Sequence, residues 1–262
     1  NVLYTYGIES EVIPLLIFLG VGAMTDFRPT IARPISFLFG AIAQLGVFVV
    51  FLIAYTSGLF TVNEAAAVGI IGGSDGPPTV YLTAALAPQI LGAVTLVAYS
   101  YMALVPVIQP PIIRLLTTKK ERAIFMKPQL REVSNLEVIL FPIIIFVVAA
   151  LLVPKSTPLI GMFMFGNLLK ASGVTDRLAQ SAGGVFIDVL TFLLGITVGA
   201  LMPATVFLQP QTLAIIGLAI VAFTFCTSGG LLAAKFINLF LKEKINPMIG
   251  AAGVSAIPMS AR

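Results

Sequence analysis

The chain has 262 residues, 58% hydrophobic and only 10% charged, with a mean hydropathy of +1.06. Soluble domains carry about 25% charged residues, so a chain this apolar cannot cover a water-facing surface and has lipid as its solvent. The net charge of +4 comes from 15 basic and 11 acidic residues; the basic ones fall in short loops between apolar stretches, the pattern of a membrane topology signal and not of a nucleic-acid surface. The lack of histidine argues against a zinc or haem site and against a histidine proton relay, and the single cysteine, Cys226, excludes an internal disulfide. No initiator methionine or signal peptide opens the chain, and it stops just after a glycine-rich apolar stretch, so it reads as a fragment lacking spans at both ends.

In chain order, the hydropathy predicts spans at Val12–Met24, Ile35–Tyr55, Gln89–Leu116, Val138–Val153, Pro158–Leu169, Gly183–Met202 and Thr212–Phe236. A helix needs about 20 apolar residues to cross, which makes Pro158–Leu169 the shortest candidate. Two further segments, Glu64–Ala87 and Ile245–Arg262, are apolar on average but broken by glycine and proline around polar residues. Charge then sets orientation, because Lys and Arg collect on the cytoplasmic side. If Glu64–Ala87 enters from outside and returns, the most basic loop lands inside, with Arg114, Lys119, Lys120, Arg122, Lys127 and Arg131. Thirteen of the 15 basic residues are then cytoplasmic, with Lys155 outside and Arg262 in the second broken segment. That segment enters from the cytoplasmic side. The expectation is an all-α polytopic membrane protein, an inverted repeat whose two re-entrant broken-helix hairpins meet near the midplane. A first membrane repeat covers 1–116 with its hairpin at 64–87, a cytoplasmic loop covers 117–137, and a second repeat covers 138–262 with its broken segment at 245–262.

The first broken segment sets Gly69, Gly72, Gly73 and Gly76 with Pro77 and Pro78 around one carboxylate, Asp75. Glycine lets the chain turn and proline removes a helix donor, so carbonyls are freed beside the Asp75 carboxylate and the Ser74 and Thr79 hydroxyls. These are hard oxygen ligands suited to a cation. The opposed reading, a tight exterior turn with a solvated aspartate, is outweighed by the cost of placing a carboxylate at membrane depth without a function. No Gly-Lys-Ser/Thr follows, so this is not a phosphate-binding loop. The second broken segment offers Asn246, Ser255, Ser260 and Arg262 among Gly250, Gly253, Pro247 and Pro258. Asn246 and Ser255 carry oxygens for an ion, and Arg262 is able to clamp an anion. A small-residue packing face with a snorkelling Arg262 explains the same pattern equally well. Tyr101 lies within Gln89–Leu116, as a packed ring or as a hydroxyl at the site; Gln109-Pro110-Pro111 predicts a kink. Asp188 stands near the inner face, solvated or paired. Cys226, between Thr224 and Thr227-Ser228, reads as packing, and the mixed-charge loop Thr117–Glu137 as solvated or as a docking site for a soluble partner.

The stretches PLLIFLGVGAMTDF, AAAVGIIGGSDGPPTVYL, AYSYMALVPVIQPPI, FLQPQTL and KINPMIGAAGVSAIPMSAR together resemble the beta subunit of the sodium-pumping, biotin-dependent decarboxylases. The resemblance implies a subunit that decarboxylates carboxybiotin, carried on a partner, and couples this to sodium export across a bacterial or archaeal cytoplasmic membrane. It implies catalytic roles for Asp75, Tyr101, Ser255 and Arg262, sodium at Asp75, Asn246 and Ser255, the carboxylate of carboxybiotin at Arg262, and a structural Gly250 at the site. It also implies an alpha subunit bearing carboxyltransferase and biotin carrier, a small gamma subunit, and a beta-subunit trimer, with no nucleic-acid partner. The paired Pro77-Pro78 replaces a single proline common in the family, Ser74 is alanine in some relatives, and Asp188 stands where the family carries asparagine. Without the resemblance, a secondary sodium- or proton-coupled carrier independent of biotin fits the same hairpins.

Overall fold

The structure, a computed structural model, describes residues 2–32, 34, 36–74, 76–126, 131–200, 208–241 and 244–251; among these there is no strand. After a π-helical turn at Tyr4–Glu9, the helices in chain order are α1 (Val12–Met24), α2 (Arg28–Ala32), α3 (Ser36–Ala43), α4 (Leu45–Thr56), α5 (Val62–Gly69) and α6 (Gly76–Leu86). They continue with α7 (Leu91–Leu116), α8 (Lys119–Arg122), α9 (Asn135–Leu152), α10 (Thr157–Ala171), α11 (Asp176–Ser181), α12 (Ile187–Ala200), α13 (Pro210–Ile237) and α14 (Met248–Ala251). Three starts are fixed by reciprocal capping boxes: Thr61 with Glu64 on α5, Thr118 with Glu121 on α8, and Ser134 with Glu137 on α9. In each, the hydroxyl and the carboxylate satisfy backbone donors that a helix start leaves unpaired.

The described residues of the seven predicted spans lie almost wholly on helices. Among the described residues three helices are long and apolar enough to cross a membrane, Asn135–Leu152, Asp176–Ala200 and Pro210–Ile237, or four if the bent pair Pro88–Ser100 and Leu104–Leu116 is one span. The others are short or interrupted. Helix α1 has 13 residues and α10 has 15, giving about 20 and 22 Å against a hydrocarbon layer of about 30 Å. Within the predicted span at 35–55, α3 and α4 are separated only by Gln44, whose backbone stays in the helical region, and Gly40–Thr56 is one apolar helix too short to count among those three. The kink expected at Pro110-Pro111 falls upstream: the two halves of α7 meet at 61° between Ser100 and Leu104. Pro106 lies just beyond, and a proline ring clashes with the carbonyl four residues back, here that of Met102.

Contacts divide the chain into two compact units. The first comprises Asn1–Pro34 and Pro128–Leu201. Its centre is the pairing of α1 with α10. The two backbones touch, since a Cβ at Gly22 would strike the Phe163 carbonyl and one at Gly166 would strike that of Leu19. At one end, Asn167 Nδ2 donates to the Thr25 carbonyl at 2.9 Å and Lys170 Nζ to that of Met24 at 2.9 Å. Phe27 packs between Phe141 and Phe163, with centroids at 4.9 and 5.9 Å. Helix α9 leaves Leu136, Leu140, Ile143, Ile144, Val147 and Val148 exposed, a face that suits hydrocarbon and not water.

The second unit comprises Ile35–Lys127 and Met202–Arg262. Its core joins α4, α5, α7 and α13 through Val50, Val68, Ile71, Val94, Ile215 and Phe223. Helices α7 and α13 run in the same direction, because polar contacts tie both of their starts together and both of their ends. At the starts, the Glu64 carboxylate accepts Gln89 Nε2 at 3.0 Å and also hydrogen-bonds Gln211. At the ends, Lys235 Nζ donates to the Leu116 carbonyl at 3.0 Å and pairs with Glu121 at 3.2 Å. The Thr118 backbone donor, the Thr118 hydroxyl and the Lys235 ammonium hold the Glu121 carboxyl below its usual range.

Candidate functional site

Both broken segments belong to the second unit, and each docks on α7 and α13. The first is a helical hairpin. Helix α5 tightens into a 3-10 turn at Ile70–Gly72, the chain turns through Gly73 and Ser74, and α6 starts at Gly76. Pro77 and Pro78 occupy the first turn of α6, where a helix has no use for their missing N–H groups. The Glu64–Gln89 bond closes the hairpin, since one partner lies at its start and the other just past its end. Its tip is held on three sides. Gln44 Nε2 donates to the Gly73 carbonyl at 2.9 Å. A Cβ on Gly72 would strike Ala222 of α13. A Cβ on Gly76 would lie 2.6 Å from the Tyr99 ring of α7 and 2.9 Å from its hydroxyl oxygen. Thr79 Oγ1 donates to the Ser74 carbonyl at 3.4 Å. Asp75, the residue between Ser74 and Gly76, lies outside the described residues, as does the Tyr101 side chain, whose backbone belongs to α7.

The second segment begins on a clamp. Asn238, just past α13, donates to the Ile245 carbonyl at 2.7 Å and accepts the Ile245 N–H at 2.8 Å. Asn246 then spends its amide nitrogen on the carbonyls of Arg122 at 2.9 Å and Ile124 at 3.2 Å. Its Oδ1 accepts Met248 N–H at 3.0 Å, which leaves one lone pair on that oxygen. The chain enters α14, where Gly250 and Gly230 of α13 press backbone to backbone; a Cβ on either would strike the other's carbonyl. Gln109 Nε2 of α7, buried, donates to the Ala251 carbonyl at 3.2 Å. Ser255 and Arg262 lie outside the described residues.

Helix geometry converts these contacts into depths. At about 1.5 Å per residue, the Tyr99 contact lies about 12 Å from the start of α7 and the Ala222 contact about 18 Å from the start of α13. The Gln109 and Gly230 contacts lie about 10 Å back from the opposite ends of the same two helices. The segments therefore approach from opposite ends of one helix pair, with about 12 Å of α13 between Ala222 and Gly230. The oxygens at the first tip are the Gly73 and Ser74 carbonyls and the Thr79 hydroxyl, whereas the Asn246 amide lies where the second segment begins, beside the Arg122 and Ile124 carbonyls, and not at a tip.

Several residues that build this arrangement are absent from the sequence-based candidates. Gln44 and Gln109 each hold a carbonyl of one broken segment, while Glu64, Gln89 and Gln211 tie the opposite ends. The available signal was an amide within an apolar span, which demands a partner at membrane depth. Asp188 is exposed on the first turn of α12 and makes no ion pair among the described residues.

Over residues 1–262 the chain matches the family described as the Na+-transporting oxaloacetate decarboxylase beta subunit. It is 53% identical over 266 residues to the oxaloacetate decarboxylase beta chain of Klebsiella pneumoniae, covering 100% of this chain and 61% of that one. It is 54% identical over 251 residues to the methylmalonyl-CoA decarboxylase subunit beta of Propionigenium modestum, covering 96% of this chain and 63% of the relative. With the corresponding subunit of Veillonella parvula it shares 52% over 260 residues, 99% and 69% of the two chains. The chain spans about three fifths of the length of most of these curated relatives. A match along its whole length, at more than half of the positions compared, makes this chain a member of the Na+-transporting oxaloacetate decarboxylase beta-subunit family.

Proposed function

We propose that the protein is the membrane subunit of a sodium-translocating decarboxylase, and that it decarboxylates carboxybiotin and couples this step to sodium export through a bacterial or archaeal cytoplasmic membrane. The observation that carries the reading is the docking of both broken segments, from opposite ends, on α7 and α13. In this reading both segments are re-entrant hairpins of an inverted repeat, with one repeat in 1–116, a cytoplasmic loop at 117–137 and the other repeat in 138–262. The closed hairpin ends at Glu64 and Gln89 support a return to the side of entry, and its depth of about 12 to 18 Å supports a tip near the middle of a 30 Å layer.

Asp75, Asn246 through its remaining lone pair, and Ser255 supply sodium ligands along the path between the two segments, Asn246 where the second segment begins and Asp75 at the first tip, with Gly250 setting the backbone path. Arg262 pairs with the carboxylate of carboxybiotin delivered from the cytoplasm by an alpha subunit, which also carries the carboxyltransferase. Tyr101 assists at the same site. Sodium entry displaces a proton from this group of residues. That proton goes to the ring nitrogen of carboxybiotin as the N–C bond breaks, so carboxybiotin plus one proton gives biotin plus carbon dioxide. A gamma subunit and two further beta subunits complete the assembly.

The test is Asp75→Asn in the full-length protein, purified with its partners and reconstituted in proteoliposomes. Loss of decarboxylation and of sodium transport together, by about a hundredfold or more, is expected for a residue acting in the central step. Retained coupled activity would overturn the assignment. Transport that persists when avidin sequesters biotin would point instead to a biotin-independent carrier.

A further inference from the structure

Threonines within apolar helices ordinarily donate their hydroxyl proton to the carbonyl one turn back. Thr56, Thr83, Thr117, Thr197 and Thr224 do so, to Leu52, Thr79, Ile113, Leu193 and Ile220. Thr227 does not. Its residue is 0% exposed, and Thr227 Oγ1 has no hydrogen-bond partner among the described residues. The contrast is sharpest on α13 itself, where Thr224 satisfies its hydroxyl at 2.8 Å and Thr227, one turn on, leaves its own unpaired. A buried hydroxyl without a partner is costly, and such groups in folded proteins call for a ligand or a function.

Its position supplies one. Thr227 lies on α13 between Ala222, which meets the first tip, and Gly230, which meets the second. A second buried hydroxyl without a partner, Thr95 Oγ1, stands on α7 one turn before Tyr99, whose ring meets Gly76. Both helices on which the tips dock therefore carry an unsatisfied oxygen at membrane depth. A neutral hydroxyl is a hard ligand that adds no charge, which suits a monovalent cation already facing a carboxylate.

We propose that the Thr227 hydroxyl is an additional oxygen ligand for the transported sodium, engaged as the ion passes between the two tips. The inference rests on the sodium-transport reading above. The test uses the full-length protein in its assembled complex, with Thr227→Val, Thr227→Ser and, as a control, Thr224→Val. Two quantities are measured: the sodium concentration giving half-maximal decarboxylation, and the rise in thermal unfolding temperature on titration with sodium chloride against choline chloride. Thr227→Val is expected to raise the half-saturating sodium in both by about tenfold, the scale of one lost oxygen contact to a charged group. Thr227→Ser, which keeps the oxygen, and Thr224→Val should respond as the native protein does. An unchanged sodium response in Thr227→Val, or an equal loss in Thr227→Ser, would overturn the proposal. Thr227→Ala gives the same oxygen deletion if the valine variant does not assemble. Failure here with Asp75→Asn still inactive leaves the proposed function standing, whereas an active Asp75→Asn removes that reading whatever Thr227 does.

Discussion

Gly230 and Gly250 illustrate what a single hydrogen atom in place of a side chain permits. Each lies where a Cβ would enter the other's carbonyl, so α13 and α14 meet backbone to backbone. Close approach of this kind is how helices associate in lipid, where burial of apolar surface gives little drive. Gly229, the adjacent residue, has room, with its nearest neighbour, the Ile42 carbonyl, at 3.6 Å from an added Cβ. Gly230→Val is expected to overpack the contact and cost about 1–3 kcal/mol. Thermal unfolding of the purified complex should show a lowered midpoint for Gly230→Val and almost none for Gly229→Ala. Equal midpoints for the two variants would mean that α14 does not sit on α13 as described.

At the scale of the element, the hairpin stands or slackens with Glu64. One carboxylate caps α5 through Thr61, accepts Gln89 from the start of α7 and binds Gln211 at the start of α13. Its residue is 8% exposed, so its partners have little water to turn to. Glu64→Ala removes a capping box, worth about 1 kcal/mol, and strands two amides besides. Amide hydrogen exchange in 62–72 should accelerate at least about tenfold, while the middle of α13 keeps its protection. Uniform acceleration across both would show that Glu64 supports the whole unit and not the hairpin. Much of this element is legible in the sequence: Thr61-x-x-Glu64 announces a helix start, and the glycines and prolines around Asp75 announce a break. The supports of the tip are not. Gln44 and Gln109 reach carbonyls 29 and 142 residues away, and a lone amide in an apolar run says that it needs a partner without saying which. The bend in α7 lies between Ser100 and Leu104 and not at Pro110-Pro111 for a related reason. Pro110-Pro111 is the louder signal, but a proline disturbs the turn before it, and Pro106 is the one whose preceding turn coincides with the bend. Asp75, Ser255 and Arg262 are visible as candidates only through sequence, because they lie outside the described residues.

For the whole molecule, the decisive quantity is parity. Between Leu59 and Lys119 the chain passes through the hairpin and then α7. A hairpin that returns leaves α7 as the only crossing and puts the two residues on opposite sides of the membrane; a hairpin that crosses puts them on the same side. The positive charges around Lys119 favour the first arrangement. So does the bond between Glu64 and Gln89, which brings the two ends of the hairpin together. Leu59 and Lys119 are both exposed, and Leu239 is exposed just beyond the end of α13, near the Lys235–Glu121 pair. The native Cys226 is buried, so a Cys226→Ala background offers single introduced cysteines to a membrane-impermeant maleimide. Leu59→Cys is expected to react in intact cells, and Lys119→Cys and Leu239→Cys only after permeabilisation. Labelling of Lys119→Cys from outside together with Leu59→Cys would make Glu64–Ala87 a full span. With it would go the approach of the two broken segments from opposite faces, because the first would no longer end where it began.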